Sequence, residues 1–259
     1  MKKLLLFISL LLLISPAITL GECLEGDCVN GYGVYIFPEG GRYEGQFTNG
    51  EMEGEGTIEY ADGNIYTGML VNGVPNGSGT IDYASGSRYT GEFKDGECSG
   101  TGVYVFPDGA KYTGEFKNNR FEGKGTYIFP DNSTYSGEFR EGTFAGKGVM
   151  SEDGMVYEGE FKEGKPAGKG VMTYYDKSQE IGTWKDGKFE VSQKIKAPQK
   201  SAEDKDKAFG AEEFLPDNSW NTGQDTFLPQ DSFSAAENQE PSFPENDFPG
   251  ENRGTENKN

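Results

Sequence analysis

A phrase of about 23 residues returns along this chain, and it restricts the possible folds more than any other feature. Its clearest copy is Tyr89-Thr-Gly-Glu-Phe-Lys-Asp-Gly96, continuing through Gly100-Thr-Gly102 to Pro107-Asp-Gly109. Tyr43, Tyr66, Tyr89, Tyr112, Tyr135 and Tyr157 open six full copies, and a shortened seventh runs from Glu180 through Gly182 and Trp184 to Gly187. A fixed period in this range marks a repeat array, whose units bury their apolar faces only against one another.

Each copy can be numbered from its Tyr. Glycine then falls at positions 3, 8, 12, 14 and 21, with one residue deleted in the fifth copy, and all 29 glycines between 43 and 187 occupy those slots. Such placement marks backbone sites that need a missing side chain, not a flexible linker. Tyr-x-Gly-x-Phe alternates with the period of a strand, Gly102-Val-Tyr-Val-Phe106 reads as a second strand, and Pro107-Asp-Gly109 reads as the turn after it. Each copy is therefore expected to be a β-hairpin. The fold class expected is all-β, an elongated single sheet of hairpins about 65 Å long at ~4.8 Å per strand.

Alternation also assigns the faces. Positions 1, 3 and 5 share one side, where the position-5 column is Phe47, Leu70, Phe93, Phe116, Phe139, Phe161 and Trp184. Glycine beside each ring leaves room for the ring to lie on neighbouring backbone. Positions 4 and 6 face the other way with Glu92, Glu115, Glu138 and Glu160, and with Lys94, Lys117, Arg140, Lys162 and Lys185, which read as a solvated charged face.

The pattern Tyr-x-Gly-x-Phe-x-x-Gly-x-x-x-Gly-x-Gly over 43–187 resembles the MORN (membrane occupation and recognition nexus) repeat family. Leu70, Asn119 and Asn132 depart from it, and Asn tolerates the left-handed backbone that glycine adopts. The resemblance implies hairpin repeats in a grooved sheet and roles in protein assembly or membrane association. Lipid binding is not carried over, because residues 22–187 hold 28 acidic against 14 basic residues.

Composition removes several classes of function. Only 34% of the chain is hydrophobic, and the formal charge is -19. A surface of that sign does not bind nucleic acid. There is no histidine, so His-based triads and His-bearing zinc sites are impossible. Three cysteines are too few for a four-thiolate site. No catalytic residue, cofactor or metal is expected, and Asp62-Gly63 and Asp108-Gly109 read as turns, not calcium loops.

Residues 1–21 read as a signal peptide, with Lys2 and Lys3 before the apolar run Leu4 to Ile14, a break at Pro16 and a cleavage site at Thr19-Leu20-Gly21. The chain is thus expected to be exported, to the periplasm, the cell surface or the exterior. Lipid attachment at Cys23 is the alternative, though Glu22 occupies the place of a small residue. Export permits a Cys23–Cys28 disulfide, closing the first edge of the array within a half repeat at 22–42. Residues 188–259 turn acidic and amide-rich, with Phe214-Leu-Pro and Phe227-Leu-Pro among scattered phenylalanines, and read as a disordered tail.

The sharpest candidate surface is the aromatic ladder: Tyr43, Phe47, Tyr66, Tyr89, Phe93, Tyr112, Phe116, Tyr135, Phe139, Tyr157, Phe161 and Trp184. Its rings either form the core of a thin sheet or grip a ligand. The function expected is a non-enzymatic scaffold with a protein partner, and the alternative is a surface protein that binds phospholipid or glycan through those rings. Oligomeric state is not fixed by any of these features. Cys98 fills the apolar position-10 slot held elsewhere by Met52, Pro75, Phe121, Phe144 and Pro166, and reads as packing.

Overall fold

The structure, a computed structural model, describes residues 21–198. The expected signal peptide, apart from Gly21, and the tail from 199 onward lie outside the described residues. Within them the chain forms sixteen strands and no helix. The first eight are β1 (Glu22–Gly26), β2 (Tyr32–Ile36), β3 (Gly41–Thr48), β4 (Glu51–Tyr60), β5 (Ile65–Val71), β6 (Val74–Asp82), β7 (Arg88–Lys94) and β8 (Glu97–Val105). The rest are β9 (Lys111–Lys117), β10 (Arg120–Ile128), β11 (Thr134–Arg140), β12 (Thr143–Glu152), β13 (Met155–Lys162), β14 (Lys165–Thr173), β15 (Gln179–Lys185) and β16 (Lys188–Ile195). They lie in chain order in one open antiparallel sheet. At ~4.8 Å per strand it extends roughly 70 Å.

Two kinds of turn alternate, except that the fifth copy, one residue shorter, has a short turn at Asp153 and Gly154 as well, with φ of 44° and 74°. Positions 7 and 8 form the short ones: Asp95 and Gly96 have φ of 51° and 83°, the pair of positive values that a type I′ hairpin requires. Four of the longer turns use Asp, at Asp62, Asp108, Asp131 and Asp176, and Ser85 takes the place in another. The Asp108 carboxylate accepts the Ala110 N–H at 3.0 Å, and Phe106 N–H reaches the Ala110 carbonyl at 2.9 Å. Lys177 stands at position 21 with φ of 67°, a departure from the glycine pattern in the sixth copy that the reading by columns overlooked.

The glycines at positions 3 and 14 face each other within the six full copies and between them: Gly91↔Gly102↔Gly114↔Gly125↔Gly137 is one stretch of the row. It makes a trough of bare backbone across the strands. Beside it each hairpin carries a bulge. On β10, Glu122 pairs with Glu115 while Gly125 pairs with Gly114, so Gly123 and Lys124 are extra on that side. Two extra residues preserve the strand's alternation, which keeps Phe121 and Tyr127 on the same face as Tyr112. Gly123 takes φ of 62° there.

Both ends are finished differently from the middle. At the first, Cys23 on β1 is bonded to Cys28 with Cα atoms 6.0 Å apart, as expected from their spacing. At the other, the sheet continues beyond Gly187, where the repeat pattern had placed its end. In the seventh copy position 1 is Glu180, so no tyrosine covers Gly182. Phe189 covers it instead. A Cβ on Gly182 would lie 2.8 Å from that ring, and Phe189 packs 5.6 Å from Trp184. This contact places β16 on the sheet.

Candidate binding surfaces

The inner face is where the aromatic ladder lies. Tyr43, Tyr66, Tyr89, Tyr112, Tyr135 and Tyr157 are 0% exposed, and Phe47, Phe93, Phe116, Phe139 and Phe161 are 3–6% exposed. Trp184 is half-buried. Each tyrosine except Tyr66, whose copy has Leu70 in that place, meets its own copy's phenylalanine, and those from Tyr66 to Tyr135 meet that of the next. Tyr112 lies edge-on to Phe116 at 5.1 Å and to Phe139 at 4.8 Å, and it stacks on Phe121 at 3.9 Å. Aromatic pairs contribute about 0.5–1.5 kcal/mol each beyond their burial. The ladder is therefore the core of the sheet, and its rings are covered by one another.

The hydroxyls have a separate task. Each phenol donates to the position-4 carbonyl beside the bulge: Tyr89 to Glu92 at 2.8 Å, Tyr112 to Glu115 at 2.8 Å and Tyr135 to Glu138 at 2.9 Å. The bond gives the buried hydroxyl a partner at the bulge, a contact that Phe in the slot would not supply. Aromatic periodicity alone does not reveal it. Burial pushes the Tyr43 and Tyr157 hydroxyls up to about 12, and those of the four tyrosines between them higher still. Replacing Tyr112 by Phe should keep the ring contacts and destabilise the array by about 0.5–1.5 kcal/mol in urea unfolding, the usual net worth of one hydrogen bond.

The inner face opens at its first end. A groove of about 320 Å³ is lined there by Tyr35, Phe37, Phe47 and Met52, with Cys28 and Asn72 at its margin. Its cause is side-chain size. Met52 stands there in the slot that Phe121 and Phe144 fill in the fourth and fifth copies.

The outer face differs from the solvated surface that its charge suggests. Glu92, Glu115 and Glu138 turn their carboxylates onto the bulge and accept the orphaned N–H groups of Thr101 at 3.0 Å, Lys124 at 2.9 Å and Lys147 at 3.3 Å. The bonds from Thr101 hold the Glu92 carboxyl below its ordinary range. The second copy breaks this column. Ile65, Met69, Val71 and Val74 are 39–42% exposed, where the third copy has Arg88, Glu92, Lys94 and Glu97. Val71 and Val74 are paired across their turn. This apolar strip was readable as a break in the Glu and Lys columns, but attention to the aromatic column passed over it.

The remaining singular groups are structural. Cys98 is 1% exposed, and burial pushes its thiol up to about 12, which leaves no thiolate near neutral pH. Glu152 stands where other copies have Tyr60, Tyr83, Phe106, Phe129 and Tyr174. Desolvation, then Asp131 and Asp153, raise its carboxyl above the usual range.

Comparison with known proteins agrees with this geometry. No curated protein matches the chain in sequence. Among solved structures it is similar to the SAS-4 (dCPAP) TCP domain of Drosophila melanogaster, solved in complex with a proline-rich motif of Ana2 (dSTIL), at 14% identity and a TM-score of 0.42, over 66% of this chain and 94% of that one. It is also similar to virginiamycin B lyase from Staphylococcus aureus, at 12% identity and a TM-score of 0.19, over 70% and 74% of the two chains. Likenesses this loose say nothing of function. The MORN repeat model matches seven consecutive segments, 30–42, 43–65, 66–88, 89–111, 112–134, 135–156 and 157–179. They cover more than half of the chain and share their boundaries with the buried tyrosines, so this protein belongs to the MORN repeat family.

Proposed function

We propose that this protein is a non-enzymatic, exported scaffold that holds a protein partner on the first half of its sheet. The observation that carries the reading is the outward strip of Ile65, Met69, Val71 and Val74. Folding does not demand it, because the third copy folds with charged residues at the same four places. Contiguous exposed apolar side chains within a charged surface mark interaction sites. The surroundings narrow the partner: residues 21–110 hold 15 acidic and 3 basic residues, which suits an apolar segment with basic flanks. The Cys23–Cys28 bond supports an oxidising compartment. Binding of a glycan or lipid through the aromatic ladder is disfavoured, since the rings would have to leave the core.

The test restores the third copy's pattern in the second. In the double variant Met69→Glu/Val71→Lys, thermal unfolding should stay within a few degrees of wild type. The partner identified by cross-linking in the native cell should fall at least tenfold in yield. An unchanged yield from the folded variant would remove the strip from the binding surface and this reading with it.

A further inference from the structure

The second half of the array is balanced in charge where the first half is acidic. Residues 111–198 hold 14 basic and 14 acidic residues, but the two sets are not equally available. Glu115 and Glu138 are committed to backbone N–H groups of the bulges. Lys124 stands opposite Glu138, and Lys147 opposite Glu160, yet neither lysine forms an ion pair within 4.0 Å among the described residues. Lys169, next in the row, faces Thr183. The ammonium groups of this row recur once per copy, about 10 Å apart at two strand spacings.

A second basic row runs along the hairpin margin. Lys162 is paired directly with Lys165 across one turn, and Lys185 with Lys188 across the next. Like charges opposite each other on a sheet are destabilising. Of these four only Lys162 has a carboxylate within reach among the described residues, Glu163 at 3.8 Å, and both groups are largely exposed. An anion laid over the margin would relieve both pairs at once.

The chain carries such an anion. Residues 199–259 hold 14 acidic and 5 basic residues. They follow the edge strand β16, and the two strands before it, β14 and β15, bear Lys165, Lys169 and Lys185. The chain leaves the sheet at Ile195, on the margin opposite Lys188, so the return crosses about 27 Å, or roughly eight extended residues. The 61 residues available exceed that several-fold. The first half of the array repels the same segment. We propose that the acidic segment 199–259 folds back onto the outer face of the fourth to seventh copies and is held there by the Lys124–Lys147–Lys169 row and the paired lysines of the margin.

Zero-length carbodiimide cross-linking of the full chain tests this, because it joins only carboxylates and amines already in contact. An equal mixture of nitrogen-14 and nitrogen-15 protein separates bonds within one molecule from bonds between two. In ~20 mM salt, tail carboxylates should join Lys147, Lys165, Lys169, Lys185 and Lys188 within one molecule. The yield should fall at least fivefold in ~0.5 M salt, where the Debye length is below ~5 Å. In the variant Lys165→Glu/Lys185→Glu/Lys188→Glu, links to Lys147 should fall as far, with the strand signal in circular dichroism intact. Links that survive high salt, or that join two molecules, sink the proposal. So does an absence of tail links, and if the protein also pellets with phosphatidylserine vesicles in low salt only, the basic track belongs to a membrane instead.

Discussion

Replacing Gly114 by Ala should destabilise the array by about 3–5 kcal/mol, the range for emptying a large aromatic side chain from a core. A Cβ at that position would lie 2.5 Å from the Tyr112 hydroxyl and 2.6 Å from both the Gly125 Cα and the Lys124 carbonyl oxygen. Two of those three atoms are backbone and cannot swing aside. Relief requires opening the β9–β10 pairing or lifting the Tyr112 ring, which also serves Phe116, Phe121 and Phe139. Phe139 belongs to the next copy, so the damage crosses a repeat boundary. In an array whose stability is a sum of neighbour contacts, that loss should lower the melting temperature by about 10 °C. Gly109→Ala is the control. Gly109 has φ of 91° but nothing within 4 Å of its missing Cβ, so its replacement should cost about 1–2 kcal/mol from backbone strain alone. Equal effects at Gly109 and Gly114, measured by urea unfolding, would mean that close approach of the ring is not what the trough provides.

That contrast also separates what could be read from the sequence from what could not. Hairpins, their faces and the rings over glycine followed from a period of two inside a period of about 23. Those features repeat in every copy, so each copy supplies the same evidence again. The bulge was hidden although its sign was present. Gly100-Thr-Gly102 places two glycines at alternate strand positions, and only pairing partners reveal that the first adopts φ of 62° while the second closes the trough. The Glu92 carboxylate was hidden with it. A charge column reads as solvated until the orphaned Thr101 N–H beneath it is seen. Singular features were harder still. Phe189 on β16 and the strip from Ile65 to Val74 occur once each, so a reading by columns treats them as noise.

Raising the pH above 10 should unfold the array over a narrow interval. The six inner tyrosines have folded pKa values above the unfolded value of 10, because burial disfavours the phenolate. Below pH 10 both states hold the phenol proton, and the tyrosine contribution is fully present. Above it the unfolded chain ionises while the folded sheet does not, so stability is lost as pH rises from 10 through the folded values, about 12 for Tyr43 and Tyr157. One pH unit is worth ~1.4 kcal/mol per group. Halved for the water that reaches the hydroxyl end, six groups still lose roughly 4 kcal/mol between pH 10 and 11, a large part of the ~5–15 kcal/mol that domains possess. Urea unfolding at pH 8, 9.5, 10.5 and 11 should show a flat region and then a fall equivalent to about three protons. Tyrosinate absorbance near 295 nm should rise together with the loss of strand signal. Repeating the series in 0.5 M salt screens repulsion among the surface carboxylates and should leave the fall in place. Phenols that ionise near pH 10 in a sheet that stays folded would show that water reaches the trough, and the hydroxyls would then have no sealed bulge to close.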